Sequence, residues 1–184
     1  MNLQQIPSYT NLIRNAFIAD KGRLLASIDF SAQELRILAE MSGDKVMSNI
    51  FISGGDVHAT TAVSIWNKKH PDNQVDINTF QRLRKLSTVF RDKDGELVKD
   101  KFIDNIFLDS LMEEGIITTK DPKTLATEAE LGLKFNKVRK KAKTVNFGIV
   151  YGISEIGLSD SLEVSEEEAR MYIKSYMETY PGVA

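Results

Sequence analysis

A mainly helical α+β protein, with a short piece of sheet carried among helices, is the fold class this sequence predicts. Three observations predict it. Apolar residues return at helical spacing in several segments, as in Val57 to Trp66 and the amphipathic run Phe102 to Glu114. Cap and stop signals bracket those segments, Ser165 with Glu168 at one start and Pro181-Gly182 at the following end. A single compact apolar run, Arg23 to Ile28, follows Lys21-Gly22 and reads as a buried strand.

The elements follow in order. After Asn2 to Pro7 and a mixed segment from Tyr9 to Phe17 come the strand and then a helix from Gln33 to Met41, ended near Ser42-Gly43-Asp44. A short helix runs through Phe51. Ser53-Gly54-Gly55-Asp56 is a turn, with Asp56 as the cap of the Val57 helix. Pro71-Asp72-Asn73 is a loop, and Ile77 to Leu86 a short helix. Ser87 to Phe90 and Glu96 to Val98 flank Asp92-Lys93-Asp94-Gly95, the pattern of a β-hairpin. Asp121-Pro122 is a break. Helices are expected over Phe135 to Tyr151, Ser154 to Leu162 and Ser165 to Tyr180.

Composition sets the class. The chain has 184 residues, 42% hydrophobic and 27% charged, as in a soluble globular protein of one core. Its net charge of −2 leaves anion binding to local patches. It has no cysteine, which excludes disulfides and thiolate zinc sites and suits a reducing cytoplasm. No apolar run has the length of a membrane span, and no signal-peptide pattern opens the chain.

One segment concentrates chemistry. Arg139, Lys143, Phe147 and Tyr151 are spaced four residues apart. On an α-helix each such step drifts only about 40°, so the four form one slanting stripe about 18 Å long. Its start is cationic and its end aromatic, suited to a triphosphate and a flat base. The commoner reading of such a pattern is a solvated face beside core aromatics. Two details oppose that reading. From Lys134 to Lys143 there are six basic residues and no acidic one, whereas a solvated helix usually mixes signs. Gly148 also sits inside the helix, where something must approach the backbone closely, and Gly152 reads as its stop.

A second constellation is Ile28-Asp29-Phe30-Ser31-Ala32-Gln33-Glu34-Leu35-Arg36. Asp29 stands where the strand gives way to a helix, a rigid place from which a carboxylate can meet a hard cation. Taken locally, Ser31 and Glu34 are a capping box and Asp29 an ordinary loop acid, the commoner arrangement.

Together the two segments resemble family A DNA polymerases, the DNA polymerase I group. The first matches the fingers motif Arg-(Arg/Lys)-x-x-Lys-x-x-Asn-Phe-Gly-x-x-Tyr-Gly, and the second the palm motif Asp-Tyr-Ser-x-x-Glu-Leu-Arg. The resemblance implies partial palm over residues 1–55 and fingers over 56–184, and a parent enzyme adding deoxynucleotides to a primer 3′-end by a two-metal mechanism. Asp29 and the Phe30 carbonyl would bind Mg²⁺, two ions in the complete enzyme, and Glu34 would exclude a 2′-hydroxyl. Arg139 would meet the γ-phosphate. Lys143 would meet the inner phosphates and donate a proton to the leaving pyrophosphate. Phe147 would pack on sugar and base, and Tyr151, with room from Gly152, would hold the template-base position. Asp56-Val57-His58 is similar to the family's Asp-Ile-His, which would bring His58 to the β-phosphate. Gln5, in a segment similar to Asn-Leu-Gln-Asn-Ile-Pro, and Lys140 would touch primer-template DNA. Arg36 reads as structural.

Departures are equally visible. Ala32 stands where the family often has Gln, Phe30 replaces Tyr, and Lys140 replaces a second Arg, keeping charge but losing bidentate geometry. His58 and Arg139 are 81 residues apart, far more than in ordinary members, so an inserted subdomain at about 67–134 is expected, contacting DNA or a replication partner. Lys68-Lys69-His70, Arg82, Arg84 and Lys85 are its candidate DNA contacts, against a solvated face. Asp92-Lys93-Asp94-Gly95 reads as a turn rather than a calcium loop. Neither His58 nor His70 begins the His-Asp-Glu turn that carries the second catalytic Asp, so the isolated fragment is expected to be inactive. The insertion and Ala32 lean toward a phage or prophage parent over a bacterial repair enzyme. The alternatives are a non-catalytic nucleic-acid-binding module of polymerase ancestry and a plain helical scaffold.

Overall fold

The computed structural model of the protein describes residues 15–26, 28–92 and 94–184, with residue 99 described by its backbone alone. The chain divides into two compact units, 1–32 and 33–184. In the first unit a turn closes with the Arg23 N–H on the Asp20 carbonyl at 2.9 Å, Gly22 taking a φ of +79°. The buried strand expected over Arg23 to Ile28 is not formed among the described residues. Leu24 is 96% exposed and Ile28 88% exposed. A strand exists only as one side of a hydrogen-bonded ladder, and the described residues hold no partner for this one.

Among the described residues the second unit is a helical assembly of eight α-helices: α1 Gln33–Ser42, α2 Lys45–Ile52, α3 Val57–Lys69, α4 Ile77–Val89, α5 Asn105–Glu113, α6 Pro122–Val150, α7 Glu155–Leu162 and α8 Glu166–Thr179. Short 3₁₀ turns lie at Pro71–Asn73 and Lys99–Phe102. The starts are chemically marked. Asp44, Asp56, Asp76, Asp104, Asp121, Ser154 and Ser165 each accept a backbone N–H two or three residues on, satisfying donors a helix start leaves free. The Ser165 capping box is half made. Ser165 takes the Glu168 N–H at 3.2 Å, but the Glu168 carboxylate turns to Lys69 and the Tyr172 hydroxyl.

The 29-residue α6 organises the unit, packing on α4 and α3, while α8 packs on α3 and α7. Its start falls at the expected break: Asp121 caps it and Pro122 occupies N1, where a missing N–H costs nothing. Phe135 of α6 stacks on Phe80 of α4 at 4.5 Å and meets Trp66 of α3 edge-on at 4.7 Å. Phe80 and Phe135 are fully buried, contributing about 3 kcal/mol each by area. At Gly132 a Cβ would lie 1.9 Å from the Leu83 carbonyl oxygen, so only glycine lets α6 cross α4 this closely.

The expected hairpin is a second correction. Ser87, Thr88 and Val89 extend α4 instead, and the loop beyond closes with the antiparallel bridge Arg91–Leu97. The Asp92 carboxylate accepts the Asp94 and Glu96 N–H groups at 2.9 Å each, a turn built by its own aspartate. The tail folds back: fully buried Tyr180 shares a hydrogen bond with Thr61 at 3.1 Å, and the Gly182 N–H donates to Asp44 at 2.8 Å.

Candidate functional site on the long helix

The predicted stripe forms on α6, and tertiary contacts split it in two. Arg139 is half-buried and turned toward α3, its Nε donating to Asp56 Oδ2 at 2.8 Å. Arg84 of α4 brings a second guanidinium to 3.9 Å of the same oxygen, while Asp56 Oδ1 caps α3 through the Ala59 N–H at 3.1 Å. Burial favours the neutral acid, but the Arg139 hydrogen bond and charge and the cap outweigh it, so the Asp56 pKa lies below the usual carboxylate value.

Further along, Lys140, Lys143, Thr144, Phe147, Gly148, Tyr151 and Ile153 line an open cleft of about 640 Å³. Lys143 is exposed, with Nζ 5.8 Å from the Phe147 ring centroid. Tyr151 is 73% exposed. It also ends the helix: Gly152 takes a φ of +71°, and its N–H bonds the Ile149 carbonyl while Ile153 bonds that of Gly148, a Schellman stop. The close approach expected at Gly148 is made by the Ile153 side chain, which a Cβ would meet at 2.7 Å. Gly148 therefore lets Ile153 fold back as one wall of the cleft.

His58 stands beside this stripe. Its ring is 5.5 Å from that of Phe147, and its Nδ1 pairs at 2.8 Å with the amide nitrogen of buried Asn146. With that amide donating, Nδ1 is the acceptor and Nε2 carries the proton. Burial, with the nearby cations Arg139 and Lys143, depresses the His58 pKa to about 4 against the pull of Asp56. Near neutral pH His58 is an uncharged donor.

The lysines of α6 contrast with those of α3 and α4. Among the described residues no carboxylate lies within ion-pair distance of Lys134, Lys137, Lys140, Lys141 or Lys143. The cations considered for DNA on α3 and α4 are engaged internally. Lys68 pairs with Glu178 at 2.6 Å, Lys69 with Glu168 at 2.7 Å, Arg82 with Glu128 at 2.8 Å and Lys85 with Glu114 at 3.3 Å. His70 stacks on Trp66 at 4.0 Å.

Asp29 and Phe30 belong to the first unit, both exposed. Glu34 is exposed in the first turn of α1. Gln5 lies outside the described residues. Among the described residues no group of three or more His, Cys, Asp or Glu is placed to hold a metal ion. Asp29 alone falls short of the ligands a pair of Mg²⁺ ions needs.

Sequence reasoning missed Asp56 as the partner of Arg139, Asn146 as the partner of His58, and Ile153 as a cleft wall. Asp56 had a signal: a capping carboxylate spends one oxygen on the helix and keeps one for a cation.

Cations with no carboxylate partner among the described residues, set beside exposed and half-buried rings on one helix, have the chemistry that suits an anionic, aromatic ligand. The family model of DNA polymerase family A matches residues 1–90 and 125–184, and the chain belongs to that family. Similar curated proteins include DNA polymerase I of Streptococcus pneumoniae, 31% identical over 186 residues that cover 99% of this chain and 14% of that protein. Thermostable DNA polymerase I of Thermus aquaticus is 31% identical over 185 residues, covering 99% of this chain and 15% of that protein. The chain thus spans about one seventh of the length of these relatives. The family match leaves residues 91–124 unmatched, a shorter stretch than 67–134. Among the described residues no helix is long and apolar enough to cross a membrane.

Proposed function

We propose that this chain is the nucleotide-binding fingers region, with part of the palm, of a template-directed DNA polymerase. The parent adds deoxynucleotides to a primer 3′-end on primer-template DNA and releases pyrophosphate. One observation carries the reading: within the family match, Lys140, Lys143, Phe147 and Tyr151 line one cleft, and its lysines have no carboxylate partner among the described residues.

The residues divide the work by chemistry. Lys143 offers a mobile point charge to the inner phosphates of a dNTP and a proton to the departing pyrophosphate. Arg139 offers a fork to the γ-phosphate once released from Asp56. His58, neutral and with Nε2–H free of the Asn146 bond, donates to the β-phosphate, and an arriving anion raises its pKa. Phe147 receives sugar and base. Exposed Tyr151 is the stacking surface at the template position, with Lys140 and Gly152 beside the DNA. Glu34 is assigned to the 2′ side of the sugar and Gln5 to the primer-template. Mg²⁺ belongs to this proposal, Asp29 and the Phe30 carbonyl being among its ligands, and would supply charge neutralisation at the transferred phosphate. The 184-residue chain by itself is proposed to lack turnover, having one such carboxylate.

The stretch 67–134 is proposed as an insertion within the fingers that meets DNA or a replication partner. The setting proposed is the cytoplasm of a bacterium or of a phage-infected host. The test is primer extension by the complete polymerase. Asp29→Ala should abolish extension with DNA binding kept, and Lys143→Ala should raise the dNTP concentration needed. Normal extension by both variants refutes the assignment.

A further inference from the structure

Two guanidinium groups meet at the one Asp56 oxygen that its helix cap leaves over. Arg139 Nε holds Oδ2 at 2.8 Å, and Arg84 waits at 3.9 Å from the same atom. The side chains of Asp56, Arg84 and Arg139 are 26%, 22% and 28% exposed, so their charges are felt with limited screening. Arg84 is not there by chance of a floppy chain. Its Nε donates to Asn136 Oδ1 at 2.8 Å, Asn136 in turn donates to Ser87 Oγ at 2.8 Å, and buried Ser87 donates to the Arg84 carbonyl at 2.8 Å. Asn136 lies one turn before Arg139 on α6, so the crossing of α4 and α6 aims Arg84 at the carboxylate that holds Arg139.

We propose that Arg84 is a positioning residue that frees Arg139 for a triphosphate by taking over Asp56. This rests on the reading of Arg139 as a γ-phosphate contact. When Arg139 leaves, Asp56 is a half-buried carboxylate without its main partner, which would oppose the move. Arg84 neutralises it at once. While Arg139 is in place, two guanidinium groups on one carboxylate repel each other, which weakens the hold of Asp56 on Arg139. Both effects favour the phosphate-bound position of Arg139, and neither requires Arg84 to touch the nucleotide. Arg84 thereby links α4, within the stretch 67–134, to the phosphate end of α6.

The test is a double-mutant cycle on dATP binding to the whole 184-residue chain by titration calorimetry at low salt, with thermal melting to confirm folding. Arg84→Gln should weaken dATP binding about fivefold, the low end of coupling between linked groups. In an Asp56→Asn background, where Asn still caps α3, the same change should have no effect. Arg84→Lys, which keeps the charge, should retain most of the affinity and serves if Arg84→Gln does not fold. Equal losses in both backgrounds would mean a direct phosphate contact or a packing role and overturn the proposal, as would no loss in the Asp56 background. Lys143→Ala separates the two levels. If it leaves dATP binding unchanged, the triphosphate reading itself fails. If it weakens binding while Arg84→Gln does not, only the Arg84 proposal fails.

Discussion

The two halves of α6 lie on one continuous helix and are built on opposite terms. From Pro122 to Asn136 the packed face of the helix is committed to the protein, and only exposed positions such as Lys134 are left without a carboxylate among the described residues. Gly132 admits the Leu83 carbonyl, Phe135 sits between Phe80 and Trp66, Glu128 answers Arg82 and Asn136 answers Arg84. From Lys137 to Tyr151 the cations, apart from Arg139, find no carboxylate among the described residues, and the last ring stands mostly in solvent. A scaffold satisfies its polar groups; a ligand surface keeps some unsatisfied until the ligand arrives. The difference teaches that a basic run is informative only after the paired cations are set aside.

Mutations can break this contrast. Phe135→Ala in the first half should lower unfolding free energy by about 4 kcal/mol. Gly132→Ala should cost about 3 kcal/mol, because the new methyl meets backbone that cannot move aside. Both are read by urea unfolding, and losses below 1 kcal/mol would contradict the packing described. In the second half the signs reverse. Lys143→Ala should weaken dATP binding about tenfold with an unchanged melting temperature, as for a charge-assisted contact made only with ligand. Tyr151→Ala should change stability by no more than about 0.5 kcal/mol, since the ring is mostly solvated.

Acid sharpens the same contrast. His58 titrates near 6.5 unfolded and about 4 folded, so between those values the unfolded chain binds the proton first. The His58 contribution to stability is then flat above about pH 6.5 and falls as pH drops toward 4. Replacing His58 by Gln should flatten that window in pH-dependent melting. Adding dATP should move the His58 titration upward.

Legibility in the sequence followed the range of the interactions. Helices α1, α3, α7 and α8 were readable because periodicity and caps are local, as was the stripe Arg139–Tyr151. The first half of α6 is not legible as helix, because Asp121-Pro122 signals both a break and a start, and Gly132 lowers helix propensity while the Leu83 carbonyl that requires it comes from α4. The strand over Arg23–Ile28 is read from a compact apolar run and the Lys21-Gly22 turn signal before it, and neither supplies a pairing edge. The hairpin failed because α4 ran on through Val89. In the site, the residue types were legible and their partners were not. Asp56 lies 83 residues from Arg139, and only the packing of α3 on α6 joins them.

The most direct measurement is an amide-resolved NMR titration of the 184-residue chain with dATP. Binding on the second half of α6 predicts shifts clustered at Lys140, Lys143, Phe147 and Tyr151, with His58 following, and none at Lys68, Lys69 or Lys85. Shifts centred on those three paired lysines, or none on α6, would contradict the account.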